Sequence, residues 1–187
     1  MNAAAVRYDP VAMSLHWLLA TAILASVCSG LYASGLPFSP ARLRWVNWHK
    51  WLGIAVLFAS GLRLLWRLRQ RAPDLPSAVL GRMAAWQRLA YAWVHRVMYL
   101  LFLAVPLTGW AYSSAAGFTI VWLGMLPLPD WVAADKALAP VLRTAHQALV
   151  YSLCALVALH VAAVIKHQWF DRDGLLLRML PQGRVRP

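Results

Sequence analysis

The chain is 187 residues long, 61% hydrophobic and only 13% charged, with no glutamate, and its mean hydropathy is +0.57. A soluble domain of this size has too little interior to hide that much apolar surface, so the composition excludes an ordinary water-soluble protein and makes the bilayer its natural solvent. The net charge of +12 does not point to nucleic acid, because the cations lie beside apolar segments and not on a soluble basic surface.

Four apolar windows near the length that crosses roughly 30 Å of hydrocarbon follow one another at about 12–33, 47–66, 89–112 and 143–165. The expected fold is therefore an all-α membrane protein, a four-transmembrane-helix bundle forming a single domain over 1–187. The first window, "SLHWLLATAILASVCSGLYASG", is too long for the core of a cleavable signal peptide and reads as a retained helix. The second opens with the motif "NWHKWLG" at 47–53. Tryptophan and tyrosine gather at the span ends (Trp17, Tyr32, Trp45, Trp48, Trp66, Trp86, Trp110), as an interfacial aromatic belt requires. Pro73 and Pro76 break the connection 67–88. In the long connection 113–140, "TIVWLGML" is too short to span, and "PDWVAADKAL" predicts a short capped surface helix. Cys28 and Cys154 fall inside spans, where the expectation is buried free cysteine and neither a CxxC site nor a disulfide.

Charge sets the expected direction. Arg67, Arg69, Arg71, Arg82 and Arg88, the tail residues Lys166, Arg172, Arg178, Arg184 and Arg186, and Arg7 make eleven cations on one side, against Arg42, Arg44 and Lys136 on the other. This positive-inside bias predicts that both termini are cytoplasmic.

The histidines then fall at two depths. His49 and His146 lie near the outer ends of spans two and four; His16 and His160 lie near the inner ends of spans one and four. His146 and His160 are separated by 14 residues, close to four turns, so they share a helix face about 21 Å apart. Two pairs of imidazoles at two levels are what two stacked b-type haems require of a protein, with the four histidines as ligands to the haem irons. A single histidine in a span is more often a polar residue bonded to a neighbouring helix; four matched in depth argue for ligation. His95 has nearly the depth of His16, and spacing alone leaves either of them opposite His160. Gly53, one turn beyond His49 on its face, leaves room for a porphyrin. Arg63 lies 14 residues past His49. It either pairs with an inner propionate or quinone oxygen, or snorkels to the interface.

Four stretches together, "SLHWLL", "WHKWLGIAVL" with "RLLWRL", "HRVMYLLFLAVPLTGW" and "LHVAAVIKHQWFDRDGLLLRMLP", resemble the bacterial cytochrome b561 family over about 7–181. Within that family the chain is similar to the four-helix dihaem kind that oxidises superoxide and reduces ubiquinone. The resemblance implies two haem b groups in the bacterial inner membrane. His16 and His160 would hold the cytoplasmic-side haem, and His49 and His146 the periplasmic-side one. It also implies a ubiquinone acceptor near the cytoplasmic side, where His95 and His167 would supply protons; an ordinary rim position is the competing account of His167. Arg42, Arg44 and Lys50 flank the outer level, where a cationic rim would steer a small anion such as superoxide; lipid headgroups or haem propionates are the other claimants for the two arginines. The rival function is a membrane-anchor or electron-transfer subunit that takes electrons from a protein redox partner, a periplasmic dehydrogenase or a soluble cytochrome. A histidine-lined metal transporter is a third class, and the two-level pairing disfavours it.

Overall fold

A computed structural model describes residues 7–180, and the tail cations Arg184 and Arg186 lie outside the described residues. Four long helices carry the fold: α1 (Pro10–Gly35), α2 (Pro40–Arg69), α4 (Ala85–Ala115) and α5 (Leu138–Lys166), with a short α3 (Ser77–Arg82) between the second and third long ones. All four are long and apolar enough to cross a membrane. Each runs a few residues past the window read from hydropathy, because capping and not apolarity decides where a helix begins.

The caps are local and chemical. Asp9 accepts a hydrogen bond from the Ala12 N–H at 2.9 Å, and Pro10 takes the first helical turn of α1. Ser39 accepts from the Arg42 N–H at 3.2 Å, and Pro40 opens α2 in the same way. Both pairs satisfy an orphan donor at a position where proline loses nothing. Gln87 Oε1 accepts from the Ala84 N–H at 2.8 Å at the start of α4.

The helices run alternately up and down, so the bundle has a terminal end and a loop end. At the terminal end the first and last described residues meet: Trp17 Nε1 donates to the Met179 carbonyl at 2.8 Å, Arg7 donates to the Leu180 carbonyl, and buried Arg178 donates to the carbonyls of Pro73 and Asp74. Inside, α1 packs on α2, α4 packs on α5, and α2 against α4 joins the two pairs. Leu19, Val56, Met98, Leu101, Phe102 and Leu153 form one apolar cluster across the middle of the bundle. Most other apolar side chains of the spans face outward, Leu24, Phe58 and Leu62 among them, as lipid contact demands.

Two local expectations change, and a segment too short to span gains a structure of its own. The surface helix expected in "PDWVAADKAL" does not form; Asp135 accepts instead from the N–H groups of Ala137 and Leu138, which helps start α5. "TIVWLGML" becomes a two-stranded hairpin, β1 (Val121–Trp122) with β2 (Leu126–Pro127), one small sheet element among the described residues, at the loop end. Of the two cysteines, both free, Cys28 is exposed on the outside of the bundle and only Cys154 is partly covered. Hydropathy gives the depth of a spanning residue but not its side of the helix.

Candidate functional site

The sequence pairs histidines by depth, and the helices bring the same residues face to face. At the loop end the His49 and His146 ring centroids are 6.2 Å apart at an interplanar angle of 74°. At the terminal end the His16 and His160 centroids are 6.5 Å apart at 66°. An imidazole nitrogen binds a transition metal at roughly 2 Å, so one iron between two rings puts their centroids about 6 Å apart. Both gaps match that width, and both also fall in the range of edge-to-face ring contact.

The loop-end pair is held by backbone. His49 Nδ1 donates to the Ser26 carbonyl of α1 at 2.8 Å, and His146 Nδ1 donates to the Val105 carbonyl of α4 at 3.0 Å. With the hydrogen on Nδ1, Nε2 keeps its lone pair, which is the tautomer a metal ligand needs. Two glycines back these rings. A Cβ at Gly30 would lie 2.8 Å from the His49 ring, and one at Gly109 would lie 3.0 Å from the His146 ring. Neither glycine shows its role in the sequence, since a small residue in a span ordinarily serves helix packing.

Around the pair lies a cavity of about 530 Å³ lined by Gly53, Phe102, Arg42, Lys50 and Arg143 among others. No atom lies within 4 Å of a Cβ built on Gly53, so this glycine does leave open space on the histidine face. Trp110 Nε1 is buried here without an acceptor among the described residues. A buried indole N–H usually finds a partner, and three cations stand around the same cavity. The chemistry of the lining fits a large flat apolar group with anionic edges, as haem is. Arg44, grouped with Arg42 in the sequence, is exposed and does not line the cavity.

The terminal-end pair is built differently. Arg63 Nη1 donates to His16 Nδ1 at 2.7 Å, and its Nε donates to the Tyr99 hydroxyl at 3.0 Å. Arg63 therefore points inward, and the snorkelling alternative fails. His95 also lies here, its ring centroid 5.5 Å from that of His160 at 87°, with its Nδ1 donating to the Tyr91 carbonyl at 2.8 Å. Three imidazoles thus share this level, with His160 between the other two. His16 has the wider spacing to it; His95 is nearer, in edge contact.

His167 sits further toward the terminal rim, where α5 loosens into a π-turn over His167–Asp171. Its Nδ1 donates to Asp173 at 2.5 Å and stands 3.1 Å from Asp171 Oδ2, which also accepts from Lys166 at 2.5 Å. With that lysine already on Asp171, the cluster is an ion-pair network.

Membrane-spanning helices that bring imidazoles together in pairs at two levels are an arrangement that a membrane haem protein carrying electrons would use. The comparisons narrow this. The family model for prokaryotic cytochrome b561 matches residues 7–182. Cytochrome b561 homolog 2 of Escherichia coli (strain K12) is 30% identical over 179 residues, which cover 93% of this chain and 91% of the relative. The probable superoxide oxidase CybB of Yersinia pestis is 28% identical over 183 residues, covering 95% and 98%. The chain belongs to the prokaryotic cytochrome b561 family, and is a multi-pass membrane protein of electron transfer with b-type haem.

Proposed function

We propose that the protein is a dihaem cytochrome of the bacterial inner membrane that takes electrons from superoxide on the periplasmic side and delivers them to ubiquinone on the cytoplasmic side. The observation that carries this reading is the pair of imidazole gaps, 6.2 Å at the loop end and 6.5 Å at the terminal end. In this assignment His49 and His146 hold the haem near the periplasm, and His16 and His160 hold the one near the cytoplasm. When bound, the haems supply one-electron redox chemistry at the two ends of the bundle.

The chain's own residues do the remaining work. Arg42, Lys50 and Arg143 put positive charge around the loop-end cavity, which raises the arrival rate of a small anion. Ser26 and Val105 fix the ring tautomers of the histidines there through their carbonyls. Arg63, itself bonded to Tyr99, orients His16 through Nδ1, and would let go of that nitrogen when the ring takes a metal. Ubiquinone takes up two protons with two electrons, and in this reading His95 and His167 are the imidazoles near the terminal end that hand them on. His167 keeps Nδ1 on Asp173, which leaves Nε2 to exchange a proton. The named relative from Yersinia pestis favours superoxide as donor, and the cationic cavity favours it independently of that name.

Stopped-flow haem reduction by superoxide at two ionic strengths tests the reading. Fast reduction that weakens with salt, and weakens further when Arg42 and Arg143 are neutralised, is the expected result. Slow, salt-insensitive reduction would point instead to a protein donor and to the anchor-subunit function. For direction, a cysteine placed at Ala134 should be labelled from the periplasm while tags on both termini stay protected.

A further inference from the structure

The hairpin at the loop end is apolar where a water-exposed loop should not be. No charged residue occurs from Phe118 to Pro129. Its exposed side chains are large: Val121, Leu123, Met125 and Leu126 are 42%, 47%, 79% and 53% accessible. The turn is tight, with Leu123 at φ +53° and Gly124 at φ +72°. Asparagine or glycine would take the first of these positions without strain; leucine does so at a cost. A two-stranded hairpin with no core of its own is marginal in water, and a group of exposed apolar side chains marks a surface that meets something.

What it meets follows from where it is tied. Trp51 Nε1 donates to the Val121 carbonyl at 2.8 Å, and Trp122 Nε1 donates back to the Trp51 carbonyl at 3.2 Å. Trp51 marks a boundary on α2. Arg42, Arg44, Asn47 and Lys50 precede it, and no charge follows until Arg63. That is the change from polar to apolar expected where a helix enters hydrocarbon, and tryptophan is the residue expected there. Phe58 and Leu62, seven and eleven residues on, fall on the same face of α2 as Trp51. They are 63% and 58% accessible, so this face is turned to lipid. The hairpin is bonded to the top of that stripe and continues it.

We propose that the hairpin Val121–Pro127 is a lipid-contacting anchor, seated in the interfacial zone of the leaflet at the loop end with its Leu123–Met125 tip among the acyl chains. Its occupant is the bilayer and not a protein partner, because the lipid-facing stripe of α2 runs into it without interruption. The anchor holds one wall of the histidine cavity at the membrane surface, since Phe118 and Ile120, just before β1, line that cavity. The inference needs only that the four helices span a membrane; it does not depend on the donor, the acceptor or which leaflet is involved.

The test places nitroxide labels at Leu123→Cys and Met125→Cys, in a Cys28→Ala, Cys154→Ala background reconstituted into phosphatidylcholine and phosphatidylglycerol vesicles. Oxygen, which concentrates in lipid, and a water-soluble nickel chelate then compete as relaxing agents. Phe58→Cys serves as the lipid-facing reference and Ala134→Cys as the aqueous one. The oxygen-to-nickel ratio at both tip positions should lie clearly above that at Ala134→Cys, on the way toward the deeper Phe58→Cys label. Ratios equal to the aqueous reference would overturn the proposal. So would immobilised labels that exclude both reagents, the signature of a second copy or a protein partner. Leu126→Cys replaces either tip variant if it loses the wild-type helical content.

Discussion

The two ends of the bundle solve the same problem by different means. At the loop end, two histidines are oriented by backbone carbonyls, backed by glycines and surrounded by an apolar cavity with cations at its edge. At the terminal end the contacts are between side chains: Arg63 on His16, Tyr99 on Arg63, and a third imidazole, His95, beside His160. Carbonyl acceptors leave Nε2 of both loop-end rings ready for a metal. Arg63 has only donors, so Nδ1 of His16 accepts, and the neutral ring then carries its hydrogen on Nε2. Iron at His16 Nε2 requires that hydrogen to leave or Arg63 to release the ring. A rigid end defined by backbone and an adjustable end defined by side chains suit two tasks. One is suited to holding a group still; the other, in the function proposed above, also to passing protons.

Removing single ligands should produce the largest break. His146→Ala should cut the haem content to half by pyridine haemochrome and remove the loop-end component of the redox titration alone. His160→Ala should do the same for the terminal end. His95→Ala should keep both haems while slowing quinol formation. Loss of a haem with His95→Ala, and its retention with His16→Ala, would reassign the partner of His160.

The glycines sharpen the contrast next. Gly30→Ala pushes a methyl into the His49 ring, and overpacking of this kind costs about 1–3 kcal/mol. Haem retention at the loop end should fall roughly 5- to 150-fold, with the terminal end unchanged, as read by haem transfer to an apo-acceptor protein. Gly53→Leu meets open space in the protein itself, so its helicity should be normal and only its haem binding lost. Equal effects on both ends would mean that these glycines serve general packing.

Arg63→Gln should act in the opposite place. Withdrawing a positive charge from beside His16 favours the oxidised centre there. The terminal-end midpoint should fall by on the order of 60 mV, a factor of ten for one electron, while the loop-end midpoint stays within error in a potentiometric titration. A shift at the loop end instead would exchange the two assignments.

The smallest effect concerns the terminal end's anchorage. Asp9 caps α1 and accepts from Trp66 Nε1 at 3.1 Å. Partial burial pushes its carboxyl up, but the hydrogen bonds from Ala12 and Trp66 outweigh that and hold it below its ordinary value. A depressed carboxylate adds stability above the unfolded-state pKa and loses it as pH falls through the folded one. Asp9→Ala should therefore cost about 1 kcal/mol at neutral pH, seen as a lower Tm in detergent, and the gap from wild type should close below about pH 4.

The sequence by itself determined the number of spans and the two depths at which histidines occur, and it carries in local form the helix starts at Asp9–Pro10 and Ser39–Pro40, which the hydropathy windows at 12 and 47 miss. Each depends on a short stretch of chain: hydropathy over twenty residues, a cap over four, a spacing along one helix. What only the tertiary structure decided is what meets across helices. Nothing near Gly30 in sequence shows that it backs His49 on another helix, or that Gly109 backs His146. Arg63 had two readings until α1 placed His16 within its reach, and Trp110 read as a belt residue until its N–H was found buried at a cavity. "TIVWLGML" carried no hairpin signal beyond one glycine, because its pairing is completed by Trp51, some seventy residues away. Helix propensity and membrane insertion are local free energies, legible in order along the chain. The rotation of each helix about its own axis is set by its neighbours, and that rotation selects which side chains become a site.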